Sequence, residues 1–148
     1  MKISEVMTKE VIFVNPESKL DKVARLLTEN RIHGMPVVAE GKVVGIVVED
    51  DFFTKGSLSI HLPSYIDFLK KAQVEKTLDG SQKKDVSKLF DINVQDIMTA
   101  DCLTISPEMN VMETVYLFKK TGHKTFPVVD GEKNLLGIIT LADILQLF

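Results

Sequence analysis

The sequence predicts an α/β fold of the α+β kind, two βαββα repeats packed around a pseudo-two-fold axis with a helical insertion between them. Three observations predict it. The chain matches itself at an offset of 91 residues, each copy alternates β-rich runs with segments of helical period, and the stretch between the copies carries too many apolar residues for a plain linker.

Setting Ile3 to Val38 against Val94 to Val129 pairs Met7-Thr8 with Met98-Thr99, Pro16-Glu17 with Pro107-Glu108, Leu26 with Leu117 and Pro36-Val37-Val38 with Pro127-Val128-Val129. These are eight identities in 36 positions; unrelated segments of average composition share roughly two. One inserted residue later, at an offset of 92, Gly45-Ile46 meets Gly137-Ile138 and Asp51 meets Asp143.

Each copy opens on a short segment ending in Met-Thr. A β-rich strand follows, Val11 to Val14 or Cys102 to Ile105, and Pro-Glu marks the turn after it. Ser18 with Asp21 and Asn110 with Glu113 have the spacing of capping boxes. Behind them Leu20, Val23, Ala24 and Leu27 share one helical face, as do Val111, Val115 and Phe118. Two strands come next, Met35 to Val38 and Val43 to Val48, turning at Glu40-Gly41-Lys42; their counterparts are Phe126 to Val129 and Leu135 to Thr140, turning at Asp130-Gly131. A last helix begins near Asp51 and near Leu141. A unit of about 55 residues cannot cover its own sheet face, so the copies are expected to pack together and leave grooves where they touch.

The boundaries read as 1–58 for the first repeat, 59–93 for the insertion and 94–148 for the second repeat. Within the insertion, Pro63 suits the first turn of a helix through Tyr65, Ile66, Phe68 and Leu69, and Thr77 to Lys84 is polar. It is expected to cap a groove or to supply a dimer contact.

Composition excludes several function classes. At 148 residues and 45% apolar content the chain holds a real core but not a large multi-domain enzyme. Its 18 Lys plus Arg against 21 Asp plus Glu give a net charge of -3, which argues against nucleic acid as a partner, and the lysine pairs read as solvated faces. The single cysteine, Cys102, rules out a disulfide framework and a multi-cysteine metal site and fits the cytoplasm. No signal or membrane segment is visible, so the chain is read as mature protein.

These residues resemble a tandem pair of CBS (cystathionine β-synthase) domains, a Bateman module. The resemblance rests on the Met-Thr openings, the Pro-Glu turns, the Met35-Pro36-Val37-Val38 and Phe126-Pro127-Val128-Val129 strands, and the tails from Gly45 to Asp51 and Gly137 to Asp143. It covers both copies, leaves the insertion unexplained and, given the chain's length, implies a stand-alone pair without an attached enzyme or transporter. It also implies a non-catalytic sensor that binds AMP, ADP, ATP or S-adenosylmethionine between the repeats as a regulatory ligand, needs no cofactor and regulates an unidentified protein.

Carried over position by position, the pattern puts Ile138, Thr140 and Asp143 in a second-copy site, with Thr104 to Ser106 nearby. An aspartate can accept both hydroxyls of a ribose diol, and a threonine can serve ribose or phosphate. The first copy keeps Ile46 and Asp51 but has Val48 where the hydroxyl belongs, which leaves open weak binding, a different ligand or an empty site. His33 and Lys124 occupy the position that faces phosphate in the family, with Arg31 and His123 close by. Met35 and Phe126 precede the strand prolines and are candidates for base contact or for core.

Plainer readings compete. Thr140 and Asp143 alone make an ordinary Thr-x-x-Asp capping box; the repeat context tips the balance toward a site, and Asp51, kept where Val48 cannot cap, weakens the pure capping account for the first copy. His33, His61 and His123 lack metal-ligand spacing, Cys102 reads as a small core thiol, and Gly34 with Gly41-Lys42 is a hairpin rather than a phosphate loop. With no nucleophile and base placed together, an enzyme is not expected. The alternative to the sensor is a structural module with vestigial grooves whose apolar helices form a homodimer, and a homodimer is expected in either case.

Overall fold

The computed structural model describes residues 1–54 and 92–148. The expected insertion helix and the polar stretch after it lie outside the described residues. The first copy contributes helix α1 (Leu20–Glu29), strands β1 (Gly34–Ala39) and β2 (Lys42–Val48), and helix α2 (Asp51–Thr54). The second contributes strand β3 (Thr99–Ala100), helix α3 (Val111–Thr121), strands β4 (Thr125–Val129) and β5 (Leu135–Thr140), and helix α4 (Leu141–Leu145).

The hairpins form where the alternation placed them. β1 pairs antiparallel with β2 from Gly34 opposite Val48 to Ala39 opposite Lys42, and β4 pairs with β5 from Thr125 opposite Thr140 to Val129 opposite Leu135. The first turn is Glu40-Gly41, with both φ angles positive at 53° and 80°, the geometry that suits a two-residue hairpin. The second is longer, and the Asp130 carboxylate fastens it by accepting the backbone N–H groups of Glu132 and Asn134, both at 2.9 Å.

The expected first strands are not strands. Val11 to Val14 and Cys102 to Ile105 each contribute one parallel bridge, Val14 with Val37 and Ile105 with Val128. Proline sets that limit. Val14 donates to the Pro36 carbonyl (3.2 Å) and accepts from Val38 N–H (2.8 Å), but the next rungs need N–H groups from Pro16 on one side and Pro36 on the other, and neither has one. Pro107 and Pro127 cut the second ladder in the same way.

One expected cap fails. Lys19, not Ser18, precedes α1, and the Ser18 hydroxyl instead donates to Asn15 Oδ1 at 3.2 Å. The first α1 donor, Leu20 N–H, is taken by the Ile92 carbonyl at 3.3 Å, which arrives from the residues just ahead of the second copy. Asn110 does cap α3, accepting Met112 N–H at 2.8 Å.

The repeats exchange their opening segments. Ile3 is buried in the core of the second copy among Ile105, Val111, Phe118 and Phe126, while Val94 and Ile97 are buried in the first-copy core with Leu20, Val23, Met35 and Val47. The hydrogen bonds cross as well. Thr8 and Ile138 exchange a pair of backbone bonds at 2.9 Å, and β3 adds to β2 with Thr99 opposite Ile46. This crossing accounts for both Met-Thr and Gly-Ile. A methyl group on Gly137 would lie 2.7 Å from Met7 Sδ and 2.9 Å from the Thr8 carbonyl oxygen, and one on Gly45 would lie 2.8 Å from Met98 Sδ and 2.7 Å from the Thr99 oxygen. Each methionine seals the glycine of the other copy, so the two copies form one body with grooves along their seam.

Candidate functional site

The larger groove is built where β5 passes into α4. Thr140 is the N-cap of α4, and its hydroxyl accepts Asp143 N–H at 3.1 Å while the Asp143 carboxylate accepts Thr140 N–H at 2.9 Å. The capping box is therefore real. The Thr140 hydroxyl also donates to Asp143 Oδ2 at 2.9 Å, which leaves Oδ1 toward the first copy. Among the described residues the partner of Oδ1 is the Thr8 hydroxyl, at a long 3.3 Å. A carboxylate oxygen accepts two hydrogen bonds, so Oδ1 retains capacity for a further donor.

The same groove is lined by the segment after α1 and by the residues that open β4. Arg31 takes a left-handed conformation, φ 53°, where the equivalent residue after α3 is Gly122 at φ 73°. His33 and Lys124 are equivalent positions, each with its carbonyl accepting from the start of the last helix region: Glu49 N–H to His33 and Leu141 N–H to Lys124, both at 3.0 Å. The groove has a volume of about 540 Å³ and takes its apolar surface from Val11, Ile12, Ile138 and Leu141. That volume lies within the usual range for a small-molecule site, and a lining that carries the carboxylates Asp143 and Glu10 together with Arg31 and Lys124 offers acceptors for a diol and cations for an anion.

The smaller groove is its pseudo-symmetric counterpart, at about 150 Å³. Ile46, Val48 and Thr99 stand where Ile138, Thr140 and Thr8 stand in the larger one. Glu49 and Asp50 line it, and Glu49 meets His33 Nδ1 at 3.3 Å. Cys102 also lines it; burial, with Asp101 adding to it, holds its thiol above the ordinary range. Phe126 forms the floor, 1% exposed, with the His123 ring edge-on to it at 5.8 Å.

The structure brings Ile138, Thr140, Asp143, His33 and Lys124 together on the larger groove, and Ile46 and Phe126 on the smaller. Four residues depart from expectation. Thr104 and Ser106 line neither groove, and the Ser106 hydroxyl accepts Glu108 N–H at 3.2 Å. Because the opening segments cross, the strand-end residues beside Asp143 are Thr8 to Ile12 of the other copy. Met35 is fully buried in the first-copy core and contacts neither groove. Asp51 is buried and accepts Val48 N–H at 2.8 Å, so half of a capping box survives without the hydroxyl. Thr8 and Glu10 were missed; their signal was the repeat itself, read within each copy instead of across the pair.

Among the described residues no helix is long and apolar enough to cross a membrane, and no three metal-ligating side chains gather. The CBS domain family model matches residues 3–56 and 94–148. The chain is 30% identical to protein MJ1426 of Methanocaldococcus jannaschii, over 99% of this chain and 90% of that one. Of three other curated relatives it spans only 43%, 46% and 62%. The crystal structure of M. jannaschii protein MJ1225 superposes with a TM-score of 0.78 at 26% identity, covering 99% of this chain and 47% of that one. Arabidopsis thaliana CBSX2, solved in complex with AMP, superposes with a TM-score of 0.72 at 24% identity, covering 99% and 94%.

Proposed function

The chain belongs to the CBS-domain family, and on that premise we propose that it is a non-catalytic sensor binding an adenosine-containing ligand in the larger groove. The observation that carries this reading is Asp143: its carboxylate caps α4 and at the same time lines a groove of about 540 Å³ with an acceptor position to spare. The ribose hydroxyls lie on Asp143, assisted by Thr140. The purine packs on Val11, Ile12 and Ile138, and a phosphate reaches Arg31, His33 and Lys124. AMP bound to CBSX2 supports this ligand class, as does a CBS pair of protein MJ0100, solved with 5′-methylthioadenosine and S-adenosylmethionine.

Ligand differential affinity for two arrangements of the crossed seam sets the size of the signal passed to a regulated protein. The single, partly buried cysteine supports a cytoplasmic address. A homodimer is the assembly we infer. Met112 and Tyr116 on the outer face of α3 are 67% and 63% exposed and form, with Met109 and Leu117, a shallow apolar groove that a second copy would cover. That face also favours the second reading, a structural module, in which dimerisation is the whole function.

Calorimetric titration with AMP, ADP, ATP and S-adenosylmethionine separates the two. The sensor gives saturable heat with at least one of them and a melting temperature that climbs with its concentration. No heat and no shift with any of the four leaves the structural module. Light scattering that finds a monomer at micromolar concentration contradicts the dimer.

A further inference from the structure

A carboxylate offers about four lone-pair positions to donors. Asp143 has three engaged: Oδ2 accepts Thr140 N–H and the Thr140 hydroxyl, each at 2.9 Å, and Oδ1 accepts the Thr8 hydroxyl at 3.3 Å. One position is left, on Oδ1. A ribose diol brings two donors, so the carboxylate that caps α4 has no place for the second. The Thr8 hydroxyl has one. Its single proton lies on Oδ1, and among the described residues no hydrogen bond is donated to its own two lone pairs. The Thr140 hydroxyl is the poorer choice, because it already accepts Asp143 N–H at 3.1 Å and its proton holds Oδ2, the oxygen with no room. Thr8 is also held in place. It exchanges two backbone hydrogen bonds with Ile138 at 2.9 Å, its β-branched side chain has few rotamers, and it is exposed on the larger groove.

Resting on the ligand class and groove proposed above, we propose that Thr8 is a ribose-binding residue supplied to the larger groove by the other copy. The 2′-hydroxyl donates to Asp143 Oδ1 and the 3′-hydroxyl to Thr8 Oγ, so the diol is read by two residues 135 positions apart in the chain. The bound ligand thereby bridges the seam where the opening segments cross, with the first copy on one hydroxyl and the second copy on its neighbour. The smaller groove does not repeat this pair. Thr99 lines it where Thr8 lines the larger one, but Asp51 is buried, 6% exposed, and off that lining. Recognition of a diol by threonine and aspartate together belongs to the larger groove.

The test is calorimetric titration of the full chain, of Thr8→Val and of Thr8→Ser with AMP, 2′-deoxy-AMP and 3′-deoxy-AMP. Valine keeps the branched shape beside Ile138 and deletes only the hydroxyl; circular dichroism checks that the variants fold. A neutral hydrogen bond corresponds to a factor of about five in affinity, so the natural chain should prefer AMP to 3′-deoxy-AMP about fivefold. In Thr8→Val, AMP should weaken about fivefold and that preference should fall to within about twofold, while the preference over 2′-deoxy-AMP, carried by Asp143, is retained. Thr8→Ser should restore the natural pattern. Equal weakening of all three nucleotides in Thr8→Val marks a purely structural role and overturns the assignment. Unchanged affinities, or loss of the 2′ preference instead of the 3′, overturn it too, and all three of these results leave the larger-groove reading standing. No heat from the natural chain with any of the nucleotides removes the larger-groove reading, and the role of Thr8 with it.

Discussion

Gly137→Ala tests the crossing of the two copies. The added methyl meets Met7 Sδ at 2.7 Å, the Thr8 carbonyl oxygen at 2.9 Å and Met7 Cγ at 3.1 Å. The thioether can swing aside, but the carbonyl oxygen cannot, because Ile138 N–H holds it at 2.9 Å and Thr8 N–H returns a bond of the same length. Overpacking against fixed backbone costs about 1–3 kcal/mol, and a site with one yielding neighbour and one rigid one falls near the middle, about 2 kcal/mol. Urea denaturation gives the stability difference directly, with an unchanged slope if the unfolded state is unaffected. Gly131→Ala is the control. Nothing lies within 4 Å of a methyl there, so the change is neutral or slightly stabilising. In a Met7→Ala background the cost of Gly137→Ala should fall by about 1 kcal/mol, because the two sites are in contact and not additive. A loss below about 0.5 kcal/mol for Gly137→Ala, or the same loss with and without Met7, refutes the packing of Met7 on the other copy.

Three further outcomes follow. Arg31→Gly removes a side chain held at φ 53° and is expected to raise stability by up to about 1 kcal/mol while weakening AMP binding about tenfold; a parallel loss of both would mean that Arg31 serves folding, not the anion. Cys102 should react with iodoacetamide along a pH curve whose midpoint lies above the ordinary thiol value of 9.0, because burial raises its pKa. The sign for stability is the same: with the folded value raised, the contribution is complete below 9.0 and is lost as pH rises through the folded pKa, and a midpoint below 9.0 contradicts it. Tyr116→Lys places a charge on the exposed face of α3 and should shift the dimer to monomer by sedimentation without changing the thermal midpoint of the monomer by more than about 0.5 kcal/mol equivalent.

Much of this fold was legible because the repeat states each element twice. The hairpins, the left-handed turn at Gly41 and the caps at Asn110 and Thr140 depend on neighbours within a few residues, and local chemistry was enough to locate them. Ser18 failed as a cap because Ile92, more than seventy residues away, supplies the carbonyl that α1 needs. The short first strands were written in Pro16 and Pro36, whose missing N–H groups end the ladder, although alternation alone read as strand. The site divides along the same line. Asp143, Thr140 and Ile138 lie within six residues of one another and, with Lys124 and His33, came from the resemblance to the family; all five line the larger groove. Thr104 and Ser106 were expected beside Asp143 but line neither groove, because internal identity reveals that two segments are alike without revealing which partner each one packs on. Only the crossing of Thr8 to Ile138 and of Thr99 to Ile46 decides that.

The claim at the centre is that Asp143 holds a ribose while it caps α4, and a deletion of the carboxylate alone confuses the two roles. Titrating AMP and 2′-deoxy-AMP into the natural chain and into Asp143→Asn separates them. Loss of one hydroxyl bonded to a carboxylate costs about 1.5–3 kcal/mol, so the natural chain should bind 2′-deoxy-AMP at least about tenfold more weakly than AMP, and Asp143→Asn should bind the two within about threefold of each other. Equal affinity of the natural chain for both nucleotides, or an undiminished preference in Asp143→Asn, contradicts the account.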